Sequence, residues 1–331
     1  MNHRPLTVCQ LFRKPDAFFS IERVFRKIEQ SLDEHVSIVR WGAPEDRFTP
    51  AAILRNLLSA STCEANVYHV TGHLHYLVLA LPRRRTILTI HDCVFLYHTT
   101  GWKRRLLKLV FLDIPVRYCR VITTVSAATK TDIVRHTGCR PDKIVVIPNP
   151  VDDSVYHSPL DFNGEMPVVL FIGSTPHKNL RRVAEALSGL RCQLEIVGRV
   201  PPDIAELLHR RGVRYNQQCD LTDLEIARKY AEADLVLFPS TFEGFGLPIL
   251  EAQKAGRPVI TSDIGPMNEI AGSGACLVDP FDIESIRTGI LKVISDSGYR
   301  EQLVKKGLEN LERFSPQVIA QQYLACYRRL T

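Results

Sequence analysis

Two carboxylates with seven residues between them, Glu243 and Glu251, bracket a glycine-rich turn in the stretch FPSTFEGFGLPILEAQKAGRPVITSD. Ahead of them LVLFPS reads as a buried strand. After the turn, LPILEAQKAG reads as a helix, with Pro248 in its first turn and Gly256 at its C-terminal stop. The loop TFEGFG thus lies at the carboxyl end of a strand, where open α/β sheets bind ligands. The bare amides of Gly244, Phe245, Gly246 and Leu247 at a helix start favour an anion such as a diphosphate. Carboxylates repel that anion, so they must accept hydrogen bonds from hydroxyls elsewhere on the same long ligand. A nucleotide sugar has this shape: hexose, diphosphate, ribose, base. A single glutamate in either place is equally accounted for as a solvated loop residue or a complement to the helix dipole. The neighbouring sequence has to separate the two readings.

The elements that position these residues follow from the pattern. VSIVRW, NVYHVTG, RTILTIHD, VITTVS, KIVVIPNP, VVLFIGS, QLEIVG, LVLFPS and PVITSD are apolar without alternation and separated by helical segments, the signature of buried parallel strands. The fold class is α/β, open and doubly wound. At 331 residues the chain exceeds one ordinary core, so two domains are expected. The proline-bearing segment from Pro148 to Pro167 predicts the boundary. Near the C-terminus, Ser315 and Pro316 open an amphipathic helix.

Charge is uneven. The first 160 residues carry 22 Lys and Arg against 14 Asp and Glu, or +8, and the remainder 20 against 22, or −2. This is not the basic stripe of a duplex-binding protein, and it predicts a polyanionic or membrane-surface partner for the first half. The segment GWKRRLLKLVFLDI, with Trp102 beside Lys103, Arg104, Arg105 and Lys108, fits a helix lying on a membrane surface or an ordinary solvated helix. Nine scattered cysteines with no C-x-x-C pair, no apolar leader and no long apolar span point to a cytoplasmic chain. No Asp-x-Asp occurs, and His69, His73 and His75 lack metal-ligand spacing, so no metal is expected. Dinucleotide and P-loop glycine motifs are missing.

With the residues in view, STFEGFGLPILEAQKAGRPVI resembles the Glu-x7-Glu signature of retaining glycosyltransferases of family 4, the group 1 type. FIGSTPHKNLRRVAEAL, DLTDLEIARKYAEADLVLFPS and GPMNEIAGSGACLVDP resemble the family's donor domain. TIHD, TVSAATKTDIV and KIVVIPNPVD resemble its acceptor side. The resemblance runs from about Asn66 onward. It implies the GT-B fold, two Rossmann-like domains facing a central cleft: residues 1–158 on the acceptor side, with a closing helix at about 315–331 packing back on it, and 159–314 binding the donor.

The resemblance also implies roles. Glu243 would contact the donor hexose, the amides of Gly244 to Leu247 the sugar and diphosphate, with Gly173 and Ser174 beside them, and Glu251 the ribose. Lys178 would neutralise the diphosphate leaving group. His91 would face the transferred sugar from the acceptor side, with Asp92 next to it. The base would lie beside NQQCDLTDL, near Gln218 and Leu224. One departure stands out: relatives often carry an arginine shortly before the lysine, where GSTPHKN has none, leaving Arg181, Arg182, Arg199 or His177 to replace it.

The implied activity is retaining, metal-independent and cofactor-free. It moves a sugar from a nucleoside diphosphate donor, uridine before guanosine, to a glycan or lipid-linked acceptor in polysaccharide or glycoconjugate biosynthesis. A sugar-nucleotide epimerase and a non-catalytic sugar-binding protein are the rival readings.

Overall fold

The computed structural model describes residues 5–14, 20–32, 36–151 and 153–331, so much of the N-terminal stretch read above for a leader lies outside the described residues. The chain divides into two compact units, residues 1–150 with 315–331, and 151–314.

In the first unit β1 (Leu6–Phe12), β2 (Val36–Gly42), β3 (Val67–Val70), β4 (Thr86–Ile90), β5 (Val121–Thr124) and β6 (Ile144–Val146) form a six-stranded sheet in the order β2-β1-β3-β4-β5-β6. Every pairing is parallel. Apolar side chains pack on both its faces, which is why these strands show no alternation. The helix Pro316–Arg328, capped by Ser315 accepting from the Val318 amide, lies on one face. It buries Ile319, Tyr323 and Tyr327 against Val8, Val67 and Ile87. There Tyr327 shares a 2.8 Å hydrogen bond with His69 Nδ1, whose Nε2 meets Thr89 at 2.7 Å. His69 is a core histidine.

In the second unit β7 (Val168–Ile172), β8 (Gln193–Val197), β9 (Arg214–Gln218), β10 (Leu235–Phe238), β11 (Val259–Ser262) and β12 (Cys276–Val278) are ordered β12-β11-β10-β7-β8-β9, again all parallel. Val169, Phe171, Leu194 and Leu237 face one apolar cluster, and Leu170, Val236 and Phe238 the other. Both sheets are Rossmann-like. The strand order reverses between β1 and β3 in the first and between β7 and β10 in the second, and a crevice opens at the carboxyl ends of such a pair.

Two local expectations change. The division falls at Pro150–Val151, earlier than 158, because Val155 joins a core cluster of the second unit and the Ser158 amide bonds the Ala255 carbonyl. Residues 216–218, expected as loop, complete β9.

Candidate active site

At the switch point of the second sheet β7 ends at Ile172, and Gly173 follows with φ +91°. A Cβ there would lie 2.9 Å from Lys178 Cε, so glycine is what lets the lysine stem cross the strand end. A 3₁₀ turn, Pro176–Lys178, then leads to Asn179 at φ +72°. The buried Asn179 amide donates to the carbonyls of Pro239 (3.0 Å) and Pro280 (2.6 Å), and the Thr241 amide donates to the His177 carbonyl (2.8 Å). These bonds pin the lysine loop to the loop after β10.

The consequence is an ion pair between residues 65 positions apart: Lys178 Nζ lies 2.6 Å from Glu243 Oε1. Their side chains keep only 16% and 13% exposure, enough to meet a ligand but too little for full solvent screening. The ammonium also sits 4.6 Å from the centre of the Phe238 ring. Beyond Glu243, Gly246 adopts φ +108° and starts the helix Leu247–Ala255, with Pro248 in its first turn. Glu251 stands one turn in and accepts a 2.7 Å hydrogen bond from the Tyr230 hydroxyl. Tyr230 is buried, and burial first and the Glu251 charge second push its pKa well above the ordinary value.

Of the residues selected from the sequence, the structure brings Lys178 and Glu243 together and sets Glu251 one turn into the following helix. Sequence reasoning missed Tyr230, Asn179 and Phe238, which hold them. Tyr230's only signal was its place on the apolar face of the helix Asp223–Glu232.

At the other end of this edge, the carboxyl ends of β8 and β9 border an open cavity of about 440 Å³ lined by Val197, Gly198, Arg199, Cys219 and Asp220. Gly198 packs its α-carbon against Ser174, where a Cβ would meet Oγ at 3.0 Å. Gln217 is already engaged, its Oε1 accepting from the Val200 amide, whereas Gln218 and Leu224 are exposed. A Thr222–Glu225 capping box fixes the turn that follows. Of the arginines proposed to replace the absent one, Arg181 pairs with Asp203 and Arg182 donates to Asn179 Oδ1. Arg199 lines the cavity and makes no hydrogen bond or ion pair among the described residues.

In the first unit His91 and Asp92 follow β4. His91 Nε2–H donates to the Thr71 carbonyl at 2.8 Å, which leaves Nδ1 as the acceptor. Burial lowers its pKa to about 4, so the ring is neutral near pH 7. Gly72 (φ +150°) makes room for it, since a Cβ would lie 2.8 Å from the ring. Asp92 Oδ1 accepts from the Val94 amide at 2.9 Å, a local turn bond. A 180 Å³ cavity lined by His73, His75, His91, Asp92, Phe95, Leu107 and Phe111 adjoins both. No metal-binding group of three ligating side chains occurs among the described residues.

Known proteins match along the whole chain. Residues 7–155 match the Glycosyltransferase Family 4 model and residues 166–296 the model for glycosyl transferases group 1. The chain is 26% identical to an MMP alpha-(1->4)-mannosyltransferase of Mycolicibacterium hassiacum, over 96% of this chain and 84% of that protein. It is 28% identical to the O-antigen chain mannosyltransferase B of Escherichia coli, over 76% of this chain and 72% of the relative. Its fold is similar to the sucrose-phosphate synthase of Thermosynechococcus elongatus, at TM-score 0.76 and 16% identity, covering 98% and 99% of the two chains. Anabaena HepE in complex with UDP and glucose gives the same TM-score at 18% identity, covering 96% and 98%. The two family models between them cover both units and both switch-point edges, and the chain belongs to family 4 of the glycosyltransferases, the group 1 type with the GT-B fold.

Proposed function

We propose that this glycosyltransferase moves a mannosyl residue from guanosine diphosphate mannose to a glycan or lipid-linked acceptor, with retention of configuration and without a metal, in the assembly of a surface polysaccharide. The observation that carries the reading is the Lys178–Glu243 pair, formed by the loops after β7 and β10 where a diphosphate and its sugar bind.

In the proposed reaction the bond from the anomeric carbon to the diphosphate oxygen breaks. The acceptor hydroxyl oxygen bonds that carbon on the same face, and its proton passes to the departing diphosphate oxygen. Lys178 and the amides at the start of the helix Leu247–Ala255 stabilise the charge that builds on the leaving group. Glu243 accepts hydrogen bonds from the hexose and Glu251, braced by Tyr230, from the ribose. These cationic and amide donors supply the role a divalent ion plays on other diphosphates. In the first unit His91 Nδ1 is an acceptor for a sugar hydroxyl.

Two relatives named for mannosyl transfer support the choice of sugar. The base departs from the uridine expectation. Asp220 lines the cavity at the ends of β8 and β9, and its carboxylate is the acceptor that guanine's N1–H and N2 amine require. HepE, whose complex holds UDP, favours uridine instead. Donor profiling decides: turnover with guanosine diphosphate mannose well above uridine diphosphate sugars supports the reading, and the reverse order sinks it.

We also propose peripheral attachment to an anionic membrane. Among the described residues no helix is long and apolar enough to cross one. The helix Gly101–Lys108 instead turns Trp102 and Leu106 to solvent among Lys103, Arg104 and Arg105, and Leu109 extends the stripe.

A further inference from the structure

The first sheet has a second charged edge. Arg83 and Arg84 lie in the turn that enters β4, Arg120 immediately precedes β5, and Lys143 immediately precedes β6. These are three adjacent strands, about 4.8 Å apart, so their leading residues bring the cations together. Arg117, Lys108 and Arg140 complete the rim of a groove of about 1510 Å³. Seven cations and two carboxylates line it. Each carboxylate is already taken, Asp113 by Lys108 at 2.7 Å and Asp142 by Arg140, so 7 − 2 leaves five positive charges uncompensated.

Fold stability explains part of this set. Arg83 Nε donates to the Tyr118 carbonyl at 2.9 Å and Lys143 to that of Val116, so the two cap the last turn of the helix Ile114–Tyr118. It does not explain Arg84, Arg117 and Arg120. All three are exposed, and among the described residues none of their guanidinium groups makes a hydrogen bond or ion pair. Holding five like charges around one concavity costs repulsion that a bound anion relieves. The lining includes no aromatic side chain on which a nucleobase could stack.

We infer that this groove is a second anion site, taking a ligand with two or more clustered phosphates. It is remote from His91. The groove collects the residues at the start of β4, and His91 follows its end five residues on, a span of about 17 Å at roughly 3.3 Å per residue. The same phosphate chemistry is offered by a free polyphosphate compound and by the headgroups of an anionic bilayer. The inference does not rest on the transferase reading.

Calorimetric titration with inorganic tripolyphosphate tests it, comparing wild type with Arg84→Ser/Arg117→Ser/Arg120→Ser. Because these side chains have no partners to lose, the variant should keep its melting temperature. Wild type should bind, less tightly as salt rises, and the variant at least tenfold more weakly. Lys178→Ala, which removes the diphosphate cation of the other unit, should leave this affinity unchanged. Vesicles of phosphatidylcholine with and without phosphatidylglycerol separate the sources. Release from the anionic vesicles by tripolyphosphate identifies a headgroup. Vesicle binding indifferent to both tripolyphosphate and the triple substitution identifies a free compound. Equal tripolyphosphate affinity in wild type and variant, no binding at low salt, or tighter binding of a single-stranded oligonucleotide of equal charge overturns the inference.

Discussion

Lys178 Nζ stands 2.6 Å from Glu243 Oε1, so the proposed leaving-group cation and the proposed sugar-binding carboxylate occupy each other. A diphosphate entering the switch point competes with Glu243 for the same ammonium. Glu243→Gln should therefore separate two readouts. Turnover falls by most of its value, because the hexose loses a charged acceptor. Affinity for the free nucleoside diphosphate is kept or rises, because Lys178 is released. Weaker nucleoside diphosphate binding in this variant would contradict a competing pair.

Tyr230→Phe removes the hydroxyl that holds Glu251. A hydrogen bond to a charged group is worth roughly 1.5–3 kcal/mol, so the melting temperature should drop and thermal stabilisation by guanosine diphosphate should shrink. Glu251→Ala should abolish that stabilisation while the fold persists. Full ligand stabilisation in both variants would remove Glu251 from the ribose.

Donor choice gives a third outcome. Asp220→Asn should erase the preference for guanosine diphosphate over uridine diphosphate in a thermal-shift series, while Asp223→Asn, on the first turn of the following helix, should not. An unchanged preference in Asp220→Asn would take the base away from the cavity at the ends of β8 and β9.

Acid sensitivity follows from buried imidazoles. Burial lowers His69 to about 3 and both His75 and His91 to about 4, from 6.5. The folded state holds these rings neutral while the unfolded chain protonates them below pH 6.5. Their contribution is therefore complete above 6.5 and is lost as pH falls toward 4, by roughly 3 kcal/mol for a group shifted this far. The melting temperature should decline steeply from pH 7 to pH 4, and less steeply in His69→Asn. A flat profile would contradict their neutral burial.

The membrane proposal expects sedimentation with vesicles containing phosphatidylglycerol and release as salt passes physiological strength, where screening acts over about 8 Å. Lys103→Ser/Arg104→Ser/Arg105→Ser should remove the effect. Equal sedimentation with neutral and anionic vesicles would discard it.

Legibility tracked burial and locality. Strands buried on both faces, such as Thr86–Ile90 and Leu235–Phe238, announce themselves as apolar runs. β9, Arg214–Gln218, is an edge strand with four of its five residues exposed, and its polar sequence carries no strand signal. β1, LTVCQLF, carries the polar Thr7 and Gln10 within its apolar run, although Gln10 is fully buried. In the site, Glu243 and Glu251 stand out because loop and helix-start chemistry is local, whereas Lys178 is picked out by the family resemblance alone. Tyr230 and Asn179 do not stand out, since their roles arise from bonds to partners 21 and 60 or more positions away.

The most direct measurement is the rate at which labelled mannose passes from guanosine diphosphate mannose to acceptor, in Lys178→Ala against wild type. Losing one preorganised donor to the leaving group should slow transfer by about 100-fold or more, equivalent to roughly 3 kcal/mol. A variant within about threefold of wild type would show that Lys178 does not carry the leaving-group charge, and the proposed site would fall with it.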